Sequence, residues 1–185
     1  VSLSDTPPTR IRDVLSRVRA SARLSSVMRT DTSRRTDAFA AFVDTSEPLL
    51  RRALVATYGP VIGRDATVDA LSWAWEHWDR VEPMQNAVGY LYRVGQTAAR
   101  RHLSVRPLAL PTGVADGEPD PMPELAPALA RLSEQQRAAV VLVHGYAISQ
   151  REVADLLDIA VSTVREHLAR GMSKLRDELE DRDEH

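Results

Sequence analysis

The chain contains no cysteine, which excludes disulfides, iron–sulfur clusters and zinc–thiolate sites. No apolar run approaches the length that crosses a bilayer, and no signal-peptide core is visible; a cytoplasmic setting without membrane insertion is expected. Charge of one sign is also missing, because 24 Lys and Arg stand against 26 Asp and Glu for a formal net charge of −2. Bulk electrostatics would not hold such a chain to nucleic acid. Any contact must come from local patches, or be lent by a partner that grips DNA itself. The histidines (His77, His102, His144, His167 and His185) are scattered, with no HExxH and no ligand spacing. A phosphate-binding glycine loop and a nucleophile elbow are absent too. No catalytic residue, metal or cofactor is expected. Few segments alternate with period two, so the expected fold class is all-α, and the length allows one domain or two small ones.

What is there is concentrated in Leu132 to Leu179, where three helices can be read. Ser133 with Gln136 is a capping box opening a helix that carries Val140, Val141 and Val143. Gly145 sits where a left-handed C-cap belongs. Ser149 with Glu152 is a second capping box, and Val153, Leu156 and Leu157 give its helix one apolar face. A tight turn at Asp158, Ile159 and Ala160 precedes a longer helix from about Val161 to Leu179. Ile159, Val164, Leu168, Met172 and Leu175 are spaced to pack that helix on the other two. Two helices crossing steeply need a small residue at the contact and a tight turn, here Ala154 and Asp158. Asp158 stands where Gly is usual, and Asp tolerates the left-handed conformation. Ala160 is the expected N-cap; the missing hydroxyl costs roughly 1 kcal/mol. The outward face reads Ser162, Thr163, Arg165, Glu166, Ala169, Arg170 and Lys174. Short hydroxyls at a helix start reach phosphates or bases, and Arg at this spacing suits guanine edges and backbone. A merely solvated charged face is the alternative, and the turn pattern favours a DNA-reading module.

The stretch from Leu132 to Leu179, and STVREHLARGMSKLR within it, resembles region 4 of sigma-70-type sigma factors, particularly the group IV, extracytoplasmic-function type. A LuxR-type helix-turn-helix carries a similar recognition helix, so the rest of the chain must decide.

From Asp37 to Leu103 the pattern is again helical. Phe39, Phe42 and Val43 begin an apolar stripe, and Leu49, Leu50, Ala53, Leu54 and Tyr58 continue one after Pro48. Gly59-Pro60 and Gly63 break the chain. A helix over 64–78 places Ala66, Ala70, Trp73, Ala74 and Trp78 at three- and four-residue spacing, and 79–87 reads as a loop. A further helix, GYLYRVGQTAARRHL, turns Leu91, Val94 and Ala98 inward and Tyr90, Tyr92, Arg93, Gln96, Arg100 and Arg101 to its other faces. Aromatic rings interleaved with Arg suit unpaired bases and their backbone; a Trp-rich core with an exposed basic helix is the alternative. YLYRVGQTAARRHL resembles the basic helix of sigma region 2, and Asp65 to Trp78 lines up with that family's polymerase-binding helix. The family's acidic and Gln-bearing sequence there reads DATVDALSWA, and its Asn in the basic helix is Thr97.

The resemblance implies a sigma factor with core RNA polymerase (β′ clamp helices and β flap), promoter DNA and an anti-sigma factor as partners. It implies −35 contacts by Ser162, Thr163, Arg165, Glu166, Arg170 and Lys174. Contacts with the melted −10 element fall on Arg80, Gln85, Asn86, Tyr90, Tyr92, Arg93, Arg100 and Arg101, and polymerase contacts on Asp65, Asp69, Trp73 and Glu76. The expected organisation is a flexible basic arm over 1–36, two small helical domains over 37–103 and 128–180, an acidic Pro-rich linker over 104–127 and an acidic tail over 181–185. The arm reads as a solvated tail, as sequence upstream of the true start, or as a basic contact for DNA or a partner. Six prolines and two glycines in the linker forbid regular structure, and its extended reach is roughly 75 Å. An autonomous helix-turn-helix regulator and a sigma-derived interaction protein remain as rival readings.

Overall fold

The computed structural model describes residues 9–105, 108 and 124–183, with side-chain surroundings from 32 to 180. Most of the expected linker, and the ends of the arm and tail, lie outside the described residues. Helices alone make up the regular structure of the described residues. They are α1 (Thr9–Tyr58), α2 (Pro60–Glu76), α3 (Trp78–Val81), α4 (Ala87–Leu103), α5 (Leu125–Arg131), α6 (Glu134–Val140), α7 (Gln150–Leu157) and α8 (Val161–Asp183). The chain divides into two compact units, Val1–Phe42 and Val43–His185. In the first, the rings of Phe39 and Phe42 lie 6.3 Å apart. The second contains both residues 43–103 and residues 128–180.

Several elements differ from the sequence expectation. The backbone is helical from Thr9, so α1 takes in most of the arm, and it runs through Pro48. A proline leaves one backbone carbonyl of a helix without its donor, a local loss that a long helix can carry. The break at Gly59 is real: its φ of 78° is left-handed, and Pro60 follows at the first helical position. Gly63 does not break the chain. It lies inside α2, where an added Cβ would stand 2.5 Å from the Val55 backbone, so it is the point at which α1 and α2 touch. The loop after α2 holds the single turn α3, which buries Trp78 and Val81. Pro127 does not prevent helix either; it sits in the first turn of α5, where its missing N–H is no loss.

Small residues on facing positions let the module of residues 43–103, within the second unit, close. Ala66, Ala70 and Ala74 of α2 are fully buried, as are Leu91 and Ala99 of α4, and Leu50, Ala53 and Leu54 of α1 complete the core. In the second module both capping boxes form, at Ser133 with Gln136 and at Ser149 with Glu152. Hydrogen bonds from Ser149 hold the exposed Glu152 carboxyl below its usual range. Gly145 is not the left-handed residue; Ala147 is, with φ 53°. Between α6 and α7 the helix instead widens into a π-helical turn over Val141–Gly145, closed by Tyr146 N–H to the Val141 carbonyl at 3.0 Å. Val153, Val164, Leu168 and Leu175 are buried as expected, whereas Met172 is 38 % exposed and adds little to that packing.

Candidate nucleic-acid interface

The reading helix begins where the sequence places it. Asp158 takes the left-handed conformation, φ 55° and ψ 50°, and ends α7. Three residues later α8 starts, and the Ala160 carbonyl accepts the Thr163 and Val164 amides at 3.0 and 3.1 Å. Val164 and Leu168 anchor the inner face, so Ser162, Arg165, Glu166, Ala169 and Arg170 stand exposed on the outer one. Thr163 is half-buried beside them. Two of the cations are steadied from within the module: Arg165 Nε reaches Gln150 Oε1 at 3.4 Å, and Arg170 reaches Glu166 at 3.4 Å. Lys174 Nζ instead donates to the Arg131 carbonyl at 2.8 Å, which ties α8 to the end of α5. Beside it Arg131 pairs with Glu178.

The α4 face is built differently. Asn86 caps the helix, its Oδ1 accepting the Gly89 amide at 2.9 Å, while its Nδ2 donates to the Asp155 carbonyl at 2.8 Å. Two turns further, Arg93 donates to both the Asp158 carboxylate at 2.8 Å and the Asp158 carbonyl at 3.0 Å. Arg100 meets the Glu134 carboxylate at 2.8 Å. Arg80, Gln85 and Arg101 are exposed. Tyr92 departs from the expected outward position: it is 1 % exposed and shares a 3.0 Å hydrogen bond with Thr57, so its ring belongs to the core and not to the open face of α4. Burial pushes its phenol up to about 12. Tyr90 lies 5.5 Å from Trp73, ring to ring.

The residues aligned with the polymerase-binding helix are divided between surface and scaffold. Glu76 is exposed and Asp65 half-buried. Asp69 pairs with His102 of α4 at 3.0 Å, and Trp73 stacks on His77 at 4.2 Å, so both also position neighbouring elements. Exposed Val61 and Val68 give the outer surface of α2 an apolar character.

A group the sequence reading did not single out joins the two modules. Tyr58, with 0 % exposure, donates its hydroxyl to Glu134 at 2.8 Å, on the same carboxylate that receives Arg100. Burial and the facing carboxylate push the Tyr58 phenol far above its usual range. Burial alone would raise the Glu134 carboxyl, but the hydrogen bonds from Arg100 and Tyr58 outweigh it and hold it below the ordinary range. Arg137 is 4 % exposed. Its guanidinium donates to the Thr57 carbonyl at 2.7 Å and to the carbonyls of Leu129, Ala130 and Leu132 at 3.2–3.3 Å. Burial lowers its pKa; the four carbonyls satisfy donors that would otherwise be stranded. An arginine inside the apolar run Arg137-Ala138-Ala139-Val140 was the available signal. Its partners carry none, because they are main-chain carbonyls, three of them just upstream and the fourth, on Thr57, far away in sequence.

Among the described residues no helix is long and apolar enough to cross a membrane, and no group of His, Asp and Glu could hold a metal ion. Two capped helices, a left-handed turn and an exposed helix bearing hydroxyls and arginines define a helix-turn-helix DNA-binding protein. Comparison with known proteins narrows the class. The family described as Sigma-70, region 4 matches residues 124–175. An RNA polymerase sigma-E factor from Streptomyces avermitilis is 32 % identical over 155 residues, covering 78 % of this chain and 87 % of that protein. The sigma-E factor of Streptomyces coelicolor is 31 % identical over 155 residues, covering 78 % and 88 %. The sigma factor RpoE from Bartonella quintana, solved in complex with the anti-sigma factor NepR, has the same fold, with a TM-score of 0.54 and 21 % identity. That match covers 77 % of this chain and 96 % of that one. The chain belongs to the sigma-70 family of RNA polymerase sigma factors, in its extracytoplasmic-function type. This is a family of non-enzymatic transcription initiation factors.

Proposed function

We propose that the chain binds core RNA polymerase, through the β′ clamp helices and the β flap, and addresses it to promoters by two separate contacts. The α6–α8 module sets α8 in the major groove of the −35 element. Arg165 and Arg170 meet guanines or phosphates there, Ser162, Thr163 and Glu166 meet base edges, and Lys174 exchanges its carbonyl partner for phosphate. The module of α2–α4 opens the −10 element, with Arg80, Gln85, Asn86, Tyr90, Arg93, Arg100 and Arg101 along the melted strand. Asp65 and Glu76 face polymerase, while Asp69 and Trp73 hold that surface in place. The chain itself catalyses nothing; phosphoryl transfer belongs to polymerase, and the work is done in the cytoplasm, where polymerase acts. An anti-sigma factor is the expected regulator, the kind of partner with which the Bartonella quintana sigma factor was solved.

The observation that carries this reading is the exposed outer face of α8 behind the left-handed Asp158, in a chain similar to sigma-E factors over most of its length. The test is co-purification with core polymerase followed by run-off transcription on genomic fragments. A stoichiometric complex that starts at discrete new sites is the expected result. A chain that footprints DNA alone and ignores polymerase would be an autonomous regulator instead.

A further inference from the structure

A cleft of about 420 Å³ opens where α1, the start of α4 and α7 meet. Apart from Asn86, none of its lining residues takes part in promoter or polymerase contact as proposed above. Its apolar wall is Leu49, Val88, Ile148 and Leu156, of which Leu49 remains 41 % exposed. The other lining is charged: Arg52 from α1, with Glu152 and Asp155 from α7. These charges do not neutralise one another. Among the described residues Arg52 forms no ion pair, and its contact is the Tyr146 ring, 6.0 Å away at the centroid. The Asp155 carboxylate has no such partner either; only its main-chain carbonyl is taken, by Asn86. Glu152 meets the Ser149 cap through Oε2, at 2.6 and 3.0 Å, which leaves Oε1.

The backbone beside the cleft is not relaxed. Ala147, another lining residue, is left-handed at φ 53°, one residue beyond Tyr146 and the π-helical turn. Conformations of both kinds collect at functional sites. Ile148 follows, fixed by its amide's hydrogen bond to the Leu142 carbonyl at 3.1 Å.

These walls define the chemistry of an occupant. An anion would meet two carboxylates, and a cation would meet Arg52. A neutral molecule would leave both signs to be desolvated unpaired. A zwitterion satisfies both: its carboxylate on the Arg52 guanidinium, its ammonium on Asp155 and Glu152, with charge-assisted hydrogen bonds at each end. An apolar side chain then covers Leu49, Val88, Ile148 and Leu156. The volume lies within the range of small-molecule sites, roughly 300–1,000 Å³.

We propose that this cleft binds a small zwitterion with an apolar body, an apolar amino acid or dipeptide, held between Arg52 and Asp155. The inference goes beyond promoter addressing and does not depend on it. A ligand seated there touches α1, α4 and α7 together, so its binding stabilises the folded chain by mass action.

The test uses the full chain, without polymerase or DNA. Isothermal titration calorimetry and thermal melts are run with L-leucine and with leucyl-leucine. The controls are the N-acetylated form of each, which lacks the ammonium, and the amidated form, which lacks the carboxylate. One or both probes should bind and raise Tm, and the comparison gives the length of ligand that fits. The controls should bind roughly ten-fold more weakly or worse. Arg52→Gln should weaken binding by a similar factor and lose the discrimination against the amide. Asp155→Asn should do the same and lose the discrimination against the N-acetyl form. Both positions are exposed, and the unliganded Tm of each variant reports whether its fold is kept. Where that Tm has fallen, the control ligands on the unaltered chain decide. A chain that binds neither probe overturns the proposal, as does binding that survives both variants or that makes no distinction between probes and controls.

Discussion

The outer face of α8 and the basic face of α4 carry similar chemistry, arginines with short polar neighbours, yet the fold treats them in opposite ways. On α8 the exposed cations take partners from their own module, Gln150 and Glu166. On α4 they take partners from across the chain, Asp158 and Glu134. A basic face is therefore not defined by its own residues alone. What stands opposite decides whether it can receive DNA.

The strongest way to break this comparison is to remove the junction that holds the modules together. Arg137→Met keeps much of the stem but leaves four carbonyls, including that of Thr57, without their cationic donor. Hydrogen bonds to charged groups contribute about 1.5–3 kcal/mol each, and losses of about 3 kcal/mol are expected for the whole group. Urea unfolding should show the loss, with the two modules melting separately. Gly63→Ala acts on one side only. Its Cβ would meet the Val55 backbone at 2.5 Å, where nothing can swing away, so about 2 kcal/mol should be lost from the α1–α2 crossing. Amide exchange should quicken in α2 and stay unchanged in α8.

Acid should separate the two faces by titration. The folded Glu134 carboxyl lies below its ordinary value of 4.5, so its contact contributes fully above that value. The contribution is lost as pH falls through the lower folded value. Energy transfer between dyes placed at Glu82→Cys and Ser173→Cys, both exposed positions, should drop over that window, and Glu134→Gln should abolish the dependence. The smallest effect belongs to Ala160→Ser, which supplies the missing cap and should stabilise the start of α8 by about 1 kcal/mol in thermal melts. It should leave α4 untouched.

The helix-turn-helix was legible because its signals are local. Capping pairs three residues apart, an αL-tolerant Asp158 and a three- and four-residue apolar spacing all lie within short windows. The α4 module was legible only in part. Its helices followed from periodicity, but Gly63 looked like a breaker when it is a crossing point, and Tyr92 looked like a surface ring when it is core. A tyrosine can serve as either, and the choice depends on Thr57, far away in sequence. The Tyr58–Glu134–Arg100 group was not legible, since it joins positions more than thirty residues apart; Arg137 was marked only by its place in an apolar run, and its bond to the Thr57 carbonyl spans as wide a gap.

One measurement tests the account most directly: the distance between dyes at Glu82→Cys and Ser173→Cys in the free chain, and in its complex with core polymerase on promoter DNA. The account predicts a short distance in the free chain and a long one in a complex that initiates at discrete sites. A complex that initiates while the short distance persists would contradict it.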